Sequence, residues 1–159
     1  MLRERMMWKL IGVIALGLLP SYCFAGLLEK AQEAATKHEF SRAAKLYGRL
    51  VSREPQVVSH KIAYAKNLYY AGRLTQAEDI MVGVLAGVQP NTEALLLLTD
   101  MKITQGQWQG ARVLLDSVPD NERNTAEYYF KLAQVEEKLG NKSASDEALS
   151  HYYRLRQSQ

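Results

Sequence analysis

The sequence predicts an all-α solenoid of four helix–turn–helix units, and three regularities carry that reading. First, a Gly-x-apolar-x-x-Ala pattern returns at a fixed stride. Gly72, Leu74 and Ala77 are followed thirty-four residues later by Gly106, Trp108 and Ala111. One stride earlier His38, Phe40 and Ala43 hold these places, and one stride later Gly140, Lys142 and Ser145 hold them. Second, with units at 24–57, 58–91, 92–125 and 126–159, two columns contain only small residues. The eighth place is Ala31, Ala65, Thr99 and Ala133, and the twentieth is Ala43, Ala77, Ala111 and Ser145. Third, glycine fills the fifteenth place in every unit except the first, where His38 stands.

A period of this length marks stacked repeats, because each unit alone cannot bury its apolar face. Within a unit, the glycine closes the first helix, since only glycine reaches the left-handed C-terminal conformation without steric cost. Small residues at the eighth and twentieth places let the two helices approach. Tyr47, Met81, Leu115 and Leu149 at the twenty-fourth place fill the space around that contact. Pro55, Pro90 and Pro119 fall near the ends of second helices, where proline stops a helix. In the third unit the apolar run Val113–Leu115 gives way at Pro119 to the polar stretch 117–124. This predicts a short second helix and a longer link before the fourth unit, a surface loop with a hinge as the alternative. In the fourth unit Lys142 and Ser145 depart from the pattern, although Ala144, Ala148, Tyr152 and Leu155 keep an apolar stripe. A terminal unit meets water on one side, so this unit is expected to be looser and Ser145→Leu better tolerated than the same change at Ala77 or Ala111.

At 159 residues, 47% apolar and 23% charged, the chain has the composition of one ordinary globular domain. With a formal charge of +3 and no dense Lys/Arg block, nothing points to nucleic acid, and none is expected as a partner. The first 25 residues stand apart. Arg3, Arg5 and Lys9 precede an apolar run at 10–19, and PSYCFA ends on a small residue. That order is a secretory signal peptide with an expected cut between Ala25 and Gly26. Two rivals remain: residues 10–28 are uncharged and just long enough to serve as an uncleaved membrane anchor, and Cys23 could carry a lipid. Pro20, and the demand of the first unit for Leu27 and Leu28, oppose the anchor; Tyr22 before the cysteine opposes the lipid. A mature chain without cysteine needs no disulfide and suits a bacterial periplasm.

The columns resemble the tetratricopeptide repeat, a helix–turn–helix unit with small residues at the eighth and twentieth places. The resemblance spans about 26–157 and is closest in the second and third units. It implies a right-handed superhelical solenoid whose first helices line a concave face that binds a protein or peptide. The places facing that groove are then Leu28, Ile62, Leu96 and Phe130 (fifth), and Gln32, Lys66, Asp100 and Gln134 (ninth). Tyr69, Tyr70 and Ile103 at the twelfth and thirteenth complete it. Tyrosines in a groove bury much area with few rotors to freeze; the alternative is that both pack between repeats. Lys66 and Asp100 are expected to form a solvated pair. The two-carboxylate clamp of chaperone-binding members is excluded, because its places hold Leu28, Gln32, Ala63, Glu93 and Leu97.

Enzyme chemistry finds no support. His38, His60 and His151 are isolated from one another and from the single cysteine, so no metal spacing arises. The last two units resemble the repeat tails of periplasmic metallopeptidases, but His-Glu-x-x-His is absent, as are Gly-x-Ser-x-Gly and a phosphate loop. No catalytic residue, metal, cofactor or small-molecule substrate is expected. The expected function is an exported adaptor for an envelope machine such as a pilus or secretion apparatus, the nearest resemblance being the exported tetratricopeptide protein of tight-adherence pilus systems. A self-associating or inner-membrane-tethered subunit is the alternative.

Overall fold

The chain was described by a computed structural model over residues 26–87 and 91–158. Residues 1–25, where a signal peptide is expected, and Pro90 lie outside the described residues, as does most of the 10–28 stretch; residues 26–28 begin the first helix. Four helix pairs follow: α1 (26–36) with α2 (Phe40–Arg53), α3 (Val58–Tyr70) with α4 (Leu74–Leu85), α5 (Thr92–Thr104) with α6 (Trp108–Asp116), and α7 (Ala126–Lys138) with α8 (Lys142–Gln157). No strand occurs among the described residues.

The turn inside each pair is the same object four times. His38, Gly72, Gly106 and Gly140 have φ of 57°, 77°, 70° and 83°. The following N–H reaches five residues back: Glu39 to Ala34 O (2.9 Å), Arg73 to Leu68 O (2.8 Å), Gln107 to Lys102 O (2.9 Å) and Asn141 to Glu136 O (2.9 Å). This is the Schellman closure, which satisfies carbonyls that a helix end leaves orphaned. His38 adopts it at a cost that glycine avoids, and its ring meets Phe40 edge-on at 5.5 Å. The second helices start straight out of this turn with no side-chain cap. Two first helices, which follow looser connections, are capped: Asn91 Oδ1 accepts from Ala94 N, and Thr125 Oγ1 from Tyr128 N.

The two-residue reversal brings the eighth and twentieth places together. Ala31, Ala65, Thr99, Ala43, Ala77 and Ala111 have no exposed surface. Thr99 tolerates burial because its hydroxyl donates to Leu95 O at 2.8 Å. Apolar clusters then run along the solenoid, one within α1 and α2, one spanning α2 to α5, and one spanning α5 to α7. Tyr64 joins the first to the second, and Leu85 and Leu114 join the second to the third. Gly48 permits the first joint, since a Cβ there would stand 3.3 Å from Cζ of Tyr64.

The expectation of a loose fourth repeat is corrected. Ser145 is only 5% exposed, and its hydroxyl donates to Ala133 O of α7 at 3.0 Å, across the same helix crossing that alanines occupy elsewhere. The loop after α6 matches expectation. It contains a 3-10 turn at Asp120–Glu122, and Arg123 braces it by donating to Val118 O (2.8 Å) and Asp116 O (2.7 Å) while Val118 is buried.

Between repeats, the twenty-first place of one unit meets the eleventh of the next. Ala44 and Leu68 share an apolar cluster. One stride on, the Glu78 carboxylate accepts from Lys102, and from Gln105 at 2.9 Å. One stride further the signs are reversed: Arg112 Nε donates to Glu136 Oε1 at 2.5 Å. Asn141 holds the other oxygen of Glu136 at 2.7 Å.

Ala77→Leu and Ala111→Leu are each expected to cost about 1–3 kcal/mol by overpacking the crossing, and Ser145→Leu at least as much because it also removes a buried hydrogen bond. Thermal unfolding of the three variants checks this, and a harmless Ser145→Leu would restore the looser reading. The hydrogen bonds from Lys102 and then Gln105 hold the Glu78 carboxyl below its ordinary value. A carboxyl depressed by folding contributes stability above its unfolded value, and that stability is lost as pH falls through the folded value. Glu78→Gln is therefore expected to be less stable than wild type near neutrality and to lose less on acidification from about pH 6 to about pH 3, as read by denaturant midpoints.

Candidate binding groove

The first helices stand side by side, α3 against α5 and α5 against α7, so their outer faces form one continuous surface. Two clefts open along it. The narrower, of 280 Å³, lies between α3, α5 and α7, with Ile62, Leu96 and Leu97 beneath and Lys66, Tyr70, Glu93, Asp100 and Glu127 around it. The wider, of 640 Å³, lies between the first repeat and α3, lined by Ala35, Phe40, Tyr47, Ala63 and Asn67, and shares Lys66, Tyr70 and Glu93 with the first. These three shared side chains form the ridge over which the two clefts join.

The ridge is built from α3 and α5. Tyr70, half exposed at 50%, ends α3 and leans on Phe40 of the preceding repeat with ring centroids 5.0 Å apart. On its other side Tyr69 lies 5.3 Å away. Such neighbours restrict the ring's rotamers before any ligand arrives. Lys66 and Glu93 are exposed, and neither forms an ion pair among the described residues. Burial pushes the Tyr47 phenol in the wall of the wider cleft up from its ordinary value.

Asp100 does not pair with Lys66. Its carboxylate accepts from Nζ of Lys131 on α7 at 2.5 Å, and Lys131 also meets Glu127 at 3.2 Å. Lys131 is 6% exposed, so this pair ties the third repeat to the fourth beneath the groove and leaves Lys66 as its exposed cation.

Of the expected groove residues, the clefts gather Ile62, Lys66, Tyr70, Leu96 and Asp100. Ile62 and Leu96 are floor, 2% and 7% exposed. Tyr69 is half-buried and its hydroxyl is hydrogen-bonded to Thr104 Oγ1 at 2.7 Å, which makes it a joint between repeats rather than a cleft wall. Ile103 packs against the core of the last two repeats, and Leu28 against that of the first. Gln32 is exposed on α1, with its carbonyl accepting from Thr36. Phe130 and half-buried Gln134 sit on α7, where Phe130 is 43% exposed and its ring meets Tyr152 of α8 at 5.3 Å. The reading by columns missed Glu93 and Glu127, which hold the second place of successive repeats, and Lys131 at the sixth. A second-place column would have found both glutamates.

Among the described residues no group of three or more His, Cys, Asp or Glu side chains could hold a metal ion, and no helix is long and apolar enough to cross a membrane. Stacked antiparallel helix pairs with an open groove along the first helices define a tetratricopeptide-type helical solenoid. Residues 68–135 match the tetratricopeptide repeat family model. Among solved structures, one described as the crystal structure of MamA is similar at 19% identity and a TM-score of 0.68, covering 79% of this chain and 73% of that one. MamA from residue 41 to its end, from Desulfovibrio magneticus RS-1, is similar at 15% identity and a TM-score of 0.71, covering 84% and 75%. At such identities the likeness concerns the fold. No curated protein matches in sequence.

Lys131→Ala removes the buried stem of Lys131 and the cation it shares between part-exposed Asp100 and exposed Glu127, and is expected to cost about 1–2 kcal/mol. Lys66→Ala, at an exposed site, is expected to stay within about 0.5 kcal/mol. Chemical denaturation of both variants checks the contrast, and equal effects would mean that Lys131 is not the buried tie.

Proposed function

We propose that the chain is an exported adaptor that binds a protein or peptide partner along the groove of its first helices, and that it serves the assembly of a bacterial envelope machine such as a pilus or secretion apparatus. The observation that carries the groove reading is the ridge of Tyr70, Lys66 and Glu93. It combines a braced, half-exposed aromatic ring with a cation and a carboxylate that no side chain of the described chain neutralises. An extended peptide laid across it would place an apolar side chain over Ile62 and Leu96 while its polar groups meet Lys66 and Glu93. Aromatic anchors flanked by such groups are typical of the few residues that dominate binding energy. Export rests on the basic, apolar and small-residue order of 1–25, and the periplasm is the proposed destination.

The uncharged run 10–28 favours a second arrangement, in which that segment stays uncut and tethers the groove to the inner membrane as part of a larger frame. The mass of the chain isolated from its envelope separates the two, since a cut after Ala25 gives a chain beginning at Gly26. For the groove, Tyr70→Ala/Lys66→Ala is compared with wild type by chemical cross-linking in the native envelope, once matching circular dichroism shows both folded. A cross-linked species present with wild type and absent with the variant is expected. Persistence of the same species would move binding away from the groove.

A further inference from the structure

The last repeat presents a second surface, independent of the groove. In the inner repeats the fifth and twenty-fourth places are covered by the first helix of the following unit. Ile62 and Leu96 are 2% and 7% exposed, and Met81 and Leu115 are fully buried. In the last repeat the corresponding Phe130 is 43% exposed and Leu149 half-buried, and Tyr153, at the place of half-buried Leu85, is 58% exposed. A 360 Å³ hollow opens toward the turn between α7 and α8, lined by Glu137, Gly140, Lys142, Ser145, Asp146 and Leu149, so that only Leu149 of the three borders it.

What fits this face is encoded by the joints already described. Asp146 holds the twenty-first place, the one from which Glu78 grips Lys102 and Arg112 grips Glu136. It is exposed and has no ion pair among the described residues. By the same register it calls for a cation at the eleventh place of a covering helix. The far end of α8 carries Arg154 and Arg156 in its last turn. Because a covering first helix runs antiparallel to α8, its first turn would lie toward those arginines. An acidic first turn there also suits the helix dipole. Within this chain α5 has that polarity, with Glu93 in its first turn and Lys102 in its last.

A second copy stacking head to tail does not supply such a helix. Its α1 would present exposed Glu29, Lys30, Glu33 and Lys37, two of them already paired with each other at 2.5 Å. At the eleventh place α1 has Ala34, with no cation to give. Burying those charges against Phe130 and Tyr153 would cost free energy without compensation.

We propose that the α7–α8 end face is a docking site for an amphipathic helix of another protein, acidic in its first turn and basic in its last, which adds to the solenoid as a first helix of a further repeat would. The face buries the helix's apolar stripe on Phe130, Leu149 and Tyr153, and Asp146 sets its register and direction.

The test uses the full chain and two fluorescent stapled peptides. One keeps Glu93, Leu97, Leu98, Met101 and Lys102 of α5 in their spacing, and the twin exchanges its Glu and Lys. Fluorescence anisotropy is expected to show the first binding about tenfold or more tighter than the twin, with Asp146→Lys removing that preference. Tyr70→Ala, in the groove, is expected to leave it unchanged. Equal binding of the two peptides overturns the proposal, as does no binding at about 1 mM. Binding lost with Tyr70→Ala but kept with Asp146→Lys also overturns it and assigns the peptide to the groove. Should Asp146→Lys fail to fold, the contrast between the two peptides on the wild-type chain decides.

Discussion

The structure depends on a single backbone conformation used four times. A residue with positive φ at the fifteenth place lets the chain reverse in two residues while the Schellman hydrogen bonds close the helix behind it. A longer or differently bent turn would rotate the second helix about its axis. The eighth and twentieth places would then no longer face each other, and alanine there would leave a void rather than a contact. The small residues and the left-handed turn are therefore one specification written twice. The chain departs from it only at His38, where a ring contact with Phe40 accompanies the strained backbone.

A solenoid of near-identical units has a second problem, which is order. Apolar faces alone would let any unit stack on any other. Here the three joints differ in chemistry. The first is apolar through Ala44 and Leu68, the second pairs Glu78 with Lys102, and the third pairs Arg112 with Glu136. Mispairing the second helix of one unit with the wrong first helix would set like charges together or leave a carboxylate against an apolar face. Such penalties discriminate more than the matched pairs stabilise. With the order set, α3, α5 and α7 come side by side, and the ridge of Lys66, Tyr70 and Glu93 arises from neighbouring repeats rather than from any one of them.

The fold was legible because a thirty-four-residue stride repeats the demands of one turn and one crossing, and both demands fall on glycine and alanine, residues with few other reasons to recur. The short α6 and its loop were legible from Pro119 and the polar stretch around it. The groove was legible only in part. Columns identify which side of a helix a residue occupies, and Ile62, Lys66, Tyr70, Leu96 and Asp100 do reach one cleft. They do not say whether a side chain there is taken by a neighbour. Tyr69 is held by Thr104, and Asp100 by Lys131, because those partners lie one repeat away at places that no single-column reading joins. Ser145 shows the same limit in the core. Its hydroxyl resembled a concession to solvent in the sequence, yet it is satisfied inside the protein by Ala133 O.

The measurement that tests the shared turn most directly is the stability of Gly72 replaced by L-alanine and, by semisynthesis, by D-alanine. A Cβ built on Gly72 meets nothing within 4 Å, so packing does not confound the comparison. The L residue must adopt a left-handed conformation and is expected to lower stability by about 1–2 kcal/mol. The D residue prefers that conformation and also restricts the unfolded chain, so it is expected to match or exceed glycine by up to about 1 kcal/mol. Equal stability of the two alanine variants would contradict the account, because the reversal would then not depend on the positive φ from which the repeat is derived.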